Sequence, residues 1–230
     1  MTINNLFTVI PELVLGEYIT KILEWVRLDT LTYENNEEKM FLYRTFKPYN
    51  NQLKFQKVDY FVQSKEIFTR DIDDDRALKL HFGFDKERKS ISYLSLIEES
   101  DTHHSTTLGN GEGLSNYEIK DDAGFNYPVY SAIRHGVFNL SIISNNNNEL
   151  IIIYNLLKSV LLTYSQSLEI AGLQDVKISG RMDSRYDSLV PDALHKDLKI
   201  EFIYRHNSPD VFSIPDWSDI IFNGTMINND

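Results

Sequence analysis

The sequence contains no cysteine. Disulfide bonds, thiolate metal sites and a cysteine nucleophile are therefore excluded. Positive charge is also scarce, since 23 Lys and Arg residues stand against 34 Asp and Glu and give a formal net charge of -11. A field of that sign repels polyanions, so tight wrapping of DNA or RNA is not expected.

Long apolar runs are missing as well, because polar residues interrupt every apolar stretch well before membrane-spanning length. The N-terminal stretch Met1–Phe7 has no basic segment ahead of an apolar run, so we expect no secretory signal. We therefore expect a soluble protein that is made and kept in the cytoplasm. A hydrophobic share of 42% and an aromatic share of 12% are typical of a globular chain, and 230 residues suffice for one large domain or two small ones.

The N-terminal 75 residues predict a helical or mixed subregion. Pro11 suits the first position of a helix. A stripe at helical spacing follows it, made of Val14, Tyr18, Ile22 and Val26, with Leu15, Ile19 and Leu23 beside it. Residues 40–46 read as a strand or a short helix, and the aromatic-rich stretch 54–69 is left unassigned. An acidic loop is expected over 71–75.

The middle of the chain alternates in a way that predicts extended structure over 77–84 and a strand over 91–97. Residues 100–124 are rich in Thr, Ser, Asn and Gly, and they predict a long surface loop or arm, or a hairpin that orders on a partner. We expect its return strand over 127–133.

The last hundred residues give the clearest pattern. They predict a strand over 137–143, a helix capped by Asn145–Asn148 over about 149–171 and ended by Gly172, and strands over 176–180 and 198–204. This order predicts an α+β fold, a two-layer sandwich in which a long helix packs on a mixed or antiparallel sheet. We expect one domain over 1–230, with its core at 78–206 and an apolar docking tail at 207–230.

Three patterns could bear a ligand, and a plainer explanation is favoured for each. His103 and His104, with Glu98, Glu99 and Asp101, lie on a polar stretch without the geometry of a metal site. The acidic run at 71–75 lacks the glycine and the distal glutamate of a calcium loop. The glycines at 109, 111 and 113 are not followed by the Lys-Ser or Lys-Thr of a phosphate-binding loop, so a hinge is favoured.

Catalytic patterns are weak too. Ser141 and Ser179 show no convincing histidine and acid partners. His81, His135, His195 and His206 are scattered singly, and local ion pairs best explain the Asp and Arg residues between 181 and 192. The sequence predicts no catalytic residue, no cofactor and no metal.

In the C-terminal half, one pattern is formed by 138–149, the apolar helix, 172–180, 189–191 and the closing strand. This pattern resembles neck and tail-completion proteins of tailed bacteriophages, of the tail-terminator type or of the ring type found in short-tailed phages. Upstream, 82–84, 92–97 and the glycine loop around Leu108 and Gly109 agree with it, so that it covers roughly 78–206.

The resemblance implies a structural virion protein, a head–tail connector that forms a six-fold or twelve-fold homo-oligomeric ring between the portal or adaptor and the tail proteins. DNA would pass through an acidic lumen without specific binding. The candidate interface residues are Gly109, Gly111, Gly113, Tyr117, Phe212, Trp217 and Phe222. No membrane partner is expected.

Two alternatives stay open. One is a stand-alone module that binds a peptide or a sugar through exposed aromatics such as Tyr117, Tyr127 and Tyr130. The other is an enzyme of unrecognised type, whose Asp and His residues come together only on folding.

Overall fold

The computed structural model describes residues 9–52, 58–70, 74, 77–83, 92–103, 117–120, 126–181 and 194–209. Their helices are α1 (Pro11–Thr32), α2 (Phe41–Gln52), α3 (Tyr60–Thr69), α4 (Asn147–Thr163) and α5 (Ser165–Ile170), with a short 3₁₀ turn at Glu37–Lys39. Their strands are β1 (Lys79–Phe82), β2 (Tyr93–His103), β3 (Tyr117–Lys120), β4 (Asn126–Ser144), β5 (Gln174–Arg181) and β6 (Leu194–Pro209). The α+β class expected from the sequence is confirmed.

The first helix forms as its pattern predicts. Pro11 occupies the opening turn, where its missing N–H leaves no helical hydrogen bond unmade. Leu15, Ile19, Ile22 and Val26 follow at spacings of three and four and are buried on one face. Burying one such side chain is favourable by about 1.5–3 kcal/mol, so this face fixes α1 on the body.

The two ambiguous segments that follow α1 are helical. Residues 41–46 begin α2, and Asp29 holds that start, because its Oδ2 accepts a hydrogen bond of 2.6 Å from the backbone N–H of Phe41. In the unassigned stretch 54–69, the structure places α3. Its N-cap is Asp59, whose side chain accepts from the N–H groups of Phe61 and Val62.

The sheet is mixed and runs in the order β1-β2-β4-β6-β5, with β3 also paired to β4. Among the described strands, the pair β1–β2 is parallel and the other pairs are antiparallel. In β4, Phe138, Leu140 and Ile142 enter the main core together with Leu198 and Ile200 of β6. Because side chains alternate along a strand, the residues between them face the opposite side of the sheet.

The long helix expected over 149–171 is divided into α4 and α5. The chain leaves helical geometry at Tyr164, whose carbonyl accepts a hydrogen bond of 2.7 Å from the hydroxyl of Tyr18 on α1. The N-cap is Asn146, within the asparagine run that predicts it. Gly172 follows α5 with a φ of 101°, the left-handed conformation that glycine adopts without strain.

The arm region differs from a single loop over 100–124. Residues 100–103 continue β2, and residues 117–120 form β3, which pairs with the start of β4 as a hairpin. The expected return strand over 127–133 and the strand over 137–143 are one continuous strand, β4. Residues 104–116 and 121–125 lie outside the described part of the chain, as do most of 71–75 and all of 210–230.

Candidate functional site

Glu149 is the centre of a polar cluster where the helices meet the sheet. Its Oε1 accepts from Arg70 Nη2 at 3.1 Å, and its Oε2 accepts from Ser92 Oγ at 2.7 Å and Ser144 Oγ at 3.3 Å. Ser144 Oγ also accepts from the N–H of Asn146, the N-cap of α4. The cluster connects α3, β2, β4 and α4. Its hydrogen bonds and ion pair therefore stabilise the packing of these elements against one another.

A second polar group lies on the face of the sheet opposite the main core. The strand register aligns His81, Ser95, Ser141 and Asp197 in one row across β1, β2, β4 and β6. Ser95, Ser141 and Asp197 are all buried. Buried polar atoms are normally hydrogen-bonded, so a row of buried hydroxyl and carboxylate groups is a candidate catalytic site.

The geometry of that row does not activate a nucleophile. Ser95 Oγ donates to the carbonyl of Gly83 rather than to a base. Ser141 Oγ is fully buried and has no hydrogen-bond partner in the described structure. A serine nucleophile needs a base within about 3 Å, and neither hydroxyl has one.

A third group lies at the other end of the sheet. Arg134 contacts Asp101 through Nη2–Oδ2 at 2.9 Å and Nε–Oδ1 at 3.2 Å, a two-point ion pair that raises the pKa of Arg134. Tyr204 pairs with Arg134 in register. Burial, and then the charge of Asp101, raise the pKa of Tyr204 to about 12.

Two of the candidate metal ligands have other partners, and His104 lies outside the described residues. Asp101 is engaged by Arg134, and Glu99 Oε2 accepts from Asn139 Nδ2 at 3.1 Å. Among the described residues, no three His, Asp or Glu side chains form a group that could hold a metal ion. No helix in the same part of the chain is long and apolar enough to cross a membrane.

Most of the predicted interface residues fall outside the described ranges. This applies to Gly109, Gly111, Gly113, Phe212, Trp217 and Phe222. Tyr117 is the first residue of β3, and Tyr127 and Tyr130 belong to β4, although their side chains are not described. No sequence pattern predicts the Glu149 cluster, because its members are brought together only by tertiary packing.

The fold therefore defines an α+β protein with a mixed sheet and its main core on one face. No protein-family model matches the chain, and no curated protein matches it either.

Proposed function

We propose that this chain is a non-enzymatic structural protein that assembles with copies of itself. More specifically, it forms an oligomeric ring in the neck or tail of a tailed bacteriophage, between portal and tail, through which DNA passes. The phage assignment rests on the sequence resemblance. The assembly role has independent support in the shape of the sheet.

The observation that carries the proposal is the length of β4 and β6 relative to the helical layer. β4 has 19 residues and spans about 60 Å at roughly 3.3 Å per residue. α4 starts just beyond the end of β4 and has 17 residues, or about 25 Å at 1.5 Å per residue. It therefore covers less than half of the strand.

Among the residues whose side chains are described, the main core includes Phe138, Leu140 and Ile142 of β4 and Leu198, Ile200, Phe202 and Tyr204 of β6. The β3–β4 hairpin and the last residues of β6 lie beyond the stretch of the sheet that α4 covers. A sheet that extends beyond its helices presents a surface on which a neighbouring subunit can pack.

An apolar patch on α1 also suits assembly. Leu28 and Leu31 are 63% and 49% exposed, and Trp25 lies one turn before Leu28 on the same side of the helix. Single exposed apolar residues are ordinary, but a cluster on one helix face marks a contact surface. The charge of -11 supports an acidic lumen that does not retain DNA.

Replacement of residues 104–116 by a Gly-Ser linker of six residues tests the role of the extended end. These residues join β2 to β3, which pair with the same edge of β4, and the linker must span about 17 Å because His103 and Tyr117 pair with Arg134 and Val129. We expect this variant to keep its circular dichroism and cooperative unfolding, and to lose large assemblies in light scattering. A variant that assembles like the intact chain would show that this segment contributes nothing to assembly.

A further inference from the structure

A groove with a volume of about 80 Å³ lies between α1, α3 and the segment that leads into β1. Its apolar lining consists of Leu23, Ile67, Phe68, Ala77 and Leu78. Its charged lining consists of Glu24, Arg27 and Arg70. This volume is well below that of a typical small-molecule site, and it suits part of one side chain.

The two arginines of the groove differ in their ion pairs and hydrogen bonds. Arg70 is held by Glu149 through a contact of 3.1 Å. Within the described chain, the guanidinium of Arg27 takes part in no ion pair or hydrogen bond. Glu24 repels a second negative charge nearby. The groove therefore suits a bulky apolar side chain that lies next to one carboxylate placed against Arg27.

One segment of this chain has that chemistry. Aspartates alternate with large apolar residues in 210–222, where Asp216 and Asp219 flank Trp217. No Lys or Arg follows Arg205 in the sequence, so the whole segment is negative. Asp216, directly before Trp217, can supply the single carboxylate beside Arg27, and the aromatic residues complement the apolar floor.

The position of the groove decides which copy receives the segment. Through Arg70, Glu149 and Ser144, the groove lies at the end of the sheet where Leu194 begins β6. The tail leaves from Pro209 at the other end, about 50 Å away over the 16 residues of β6. Docking in the same copy would require the tail to run back along the whole body. Docking in a neighbouring copy gives a head-to-tail contact, the kind that closes a ring.

We propose that the acidic and apolar segment 210–222 of one copy docks in the groove beside Arg27 of the next copy. This inference rests on the proposed self-assembly and names its contact. The groove on one end and the tail at the other make the two surfaces different, as a heterologous interface requires.

The absence of native cysteine allows a direct test in the full-length protein. Two variants with one cysteine each, Glu24→Cys in the groove and Ser218→Cys in the tail, are mixed and mildly oxidised. We expect a disulfide that joins two chains, identified by mass spectrometry, in the samples that assemble. Asn155→Cys, at an exposed position on α4, replaces Glu24→Cys as the positional control and should cross-link at least tenfold less.

Reversal of the charge at Arg27 gives a second test of the docking contact. Adding Arg27→Glu to the groove variant should reduce the cross-link at least tenfold. Lys21→Glu makes the same charge change on the same helix outside the groove, at a side chain that is 67% exposed, and should leave the cross-link unchanged. Equal cross-linking in both charge variants, or through residue 155, would overturn the docking proposal.

Light scattering on the same samples tests self-assembly separately from the docking contact. Assemblies that form without a 24–218 cross-link contradict the docking contact and leave self-assembly standing. Samples that stay monomeric and form no cross-link, both alone and with a purified portal, contradict the docking contact and self-assembly alike.

Discussion

Arg70 and Glu149 are 79 residues apart in the sequence and form an ion pair of 3.1 Å at side chains that are only 17% and 16% exposed. Arg70 directly follows α3, and Glu149 lies in the first turn of α4. The pair therefore fixes the N-terminal helices to the sheet-bound helix. Because both side chains are mostly removed from water, each charge is stabilised by the opposite charge rather than by solvent.

Replacement of Glu149 by Ala should lower the free energy of unfolding by about 3 kcal/mol, because Arg70, Ser92 and Ser144 lose their shared acceptor. Urea unfolding followed by circular dichroism measures the change. Glu17→Ala is the matched control, since Glu17 pairs with Lys21 on the surface and should change stability by less than about 0.5 kcal/mol. Equal effects of the two substitutions would contradict a structural joint at Glu149.

Two glycines should respond to alanine in opposite ways. A Cβ on Gly136 would lie 2.6 Å from the ring of Phe202, which is 1% exposed and stacked against Phe138. Since that ring cannot move, Gly136→Ala should cost about 1–3 kcal/mol. A Cβ on Gly16 meets the half-exposed ring of Phe82, which can swing away, while the helix α1 gains up to about 1 kcal/mol from alanine.

Thermal unfolding of both glycine variants distinguishes these cases. Gly136→Ala should melt below the parent protein, and Gly16→Ala should melt at or above the same temperature. A clear loss of stability in Gly16→Ala would show that Phe82 is fixed in its place.

The buried row on the opposite sheet face gives a test of hidden chemistry. Ser141→Ala should leave stability unchanged or raise it, because it removes a buried hydroxyl that makes no hydrogen bond. Ser95→Ala should cost about 1 kcal/mol, since it removes the bond to the Gly83 carbonyl. If Ser141→Ala destabilised the protein by more than Ser95→Ala does, the Ser141 hydroxyl would have a partner in solution, and the enzymatic alternative would gain support.

Tyr204 should make stability depend on pH in the alkaline range. Its pKa is raised from 10.0 to about 12, first by burial, so the folded state holds this proton more tightly than the unfolded state does. The resulting stabilisation is fully present below pH 10 and is lost as the pH rises towards 12. Ultraviolet absorbance of tyrosinate should show a late-titrating group that is missing in Tyr204→Phe. A titration curve of unchanged shape in that variant would contradict the raised pKa.

The sequence predicted much of the fold because several of its signals are local. The stripe of α1, the Asn146 cap, Gly172 and the apolar alternation of β4 act within a few residues of one another. It left residues 40–46 undecided between strand and helix, and the structure shows a helix that begins at Phe41, where Asp29, twelve residues earlier, accepts a hydrogen bond from the backbone. At the break, the carbonyl of Tyr164 accepts a hydrogen bond from Tyr18, 146 residues away, and no local sequence pattern indicates that contact.

The polar sites were less predictable for the same reason. Ser141 shows no acid partner in its neighbourhood along the chain, yet the register of β4 and β6 places Asp197 beside it. In the sequence, Glu149 is already explained by the preference for negative charge at the start of a helix. Nothing in the pattern therefore indicates its contact with Arg70. Strand register brings Ser141 beside Asp197, and helix packing brings Glu149 to Arg70. Patterns within a single sequence predict neither contact.

The most direct test of the central claim is the mass of the full-length protein in solution across a concentration series, with negative-stain images of any large species. Self-assembly into a neck ring predicts closed rings of one defined size, formed by the protein alone or on a purified portal. A protein that remains monomeric at every concentration, both alone and with the portal, would contradict the account.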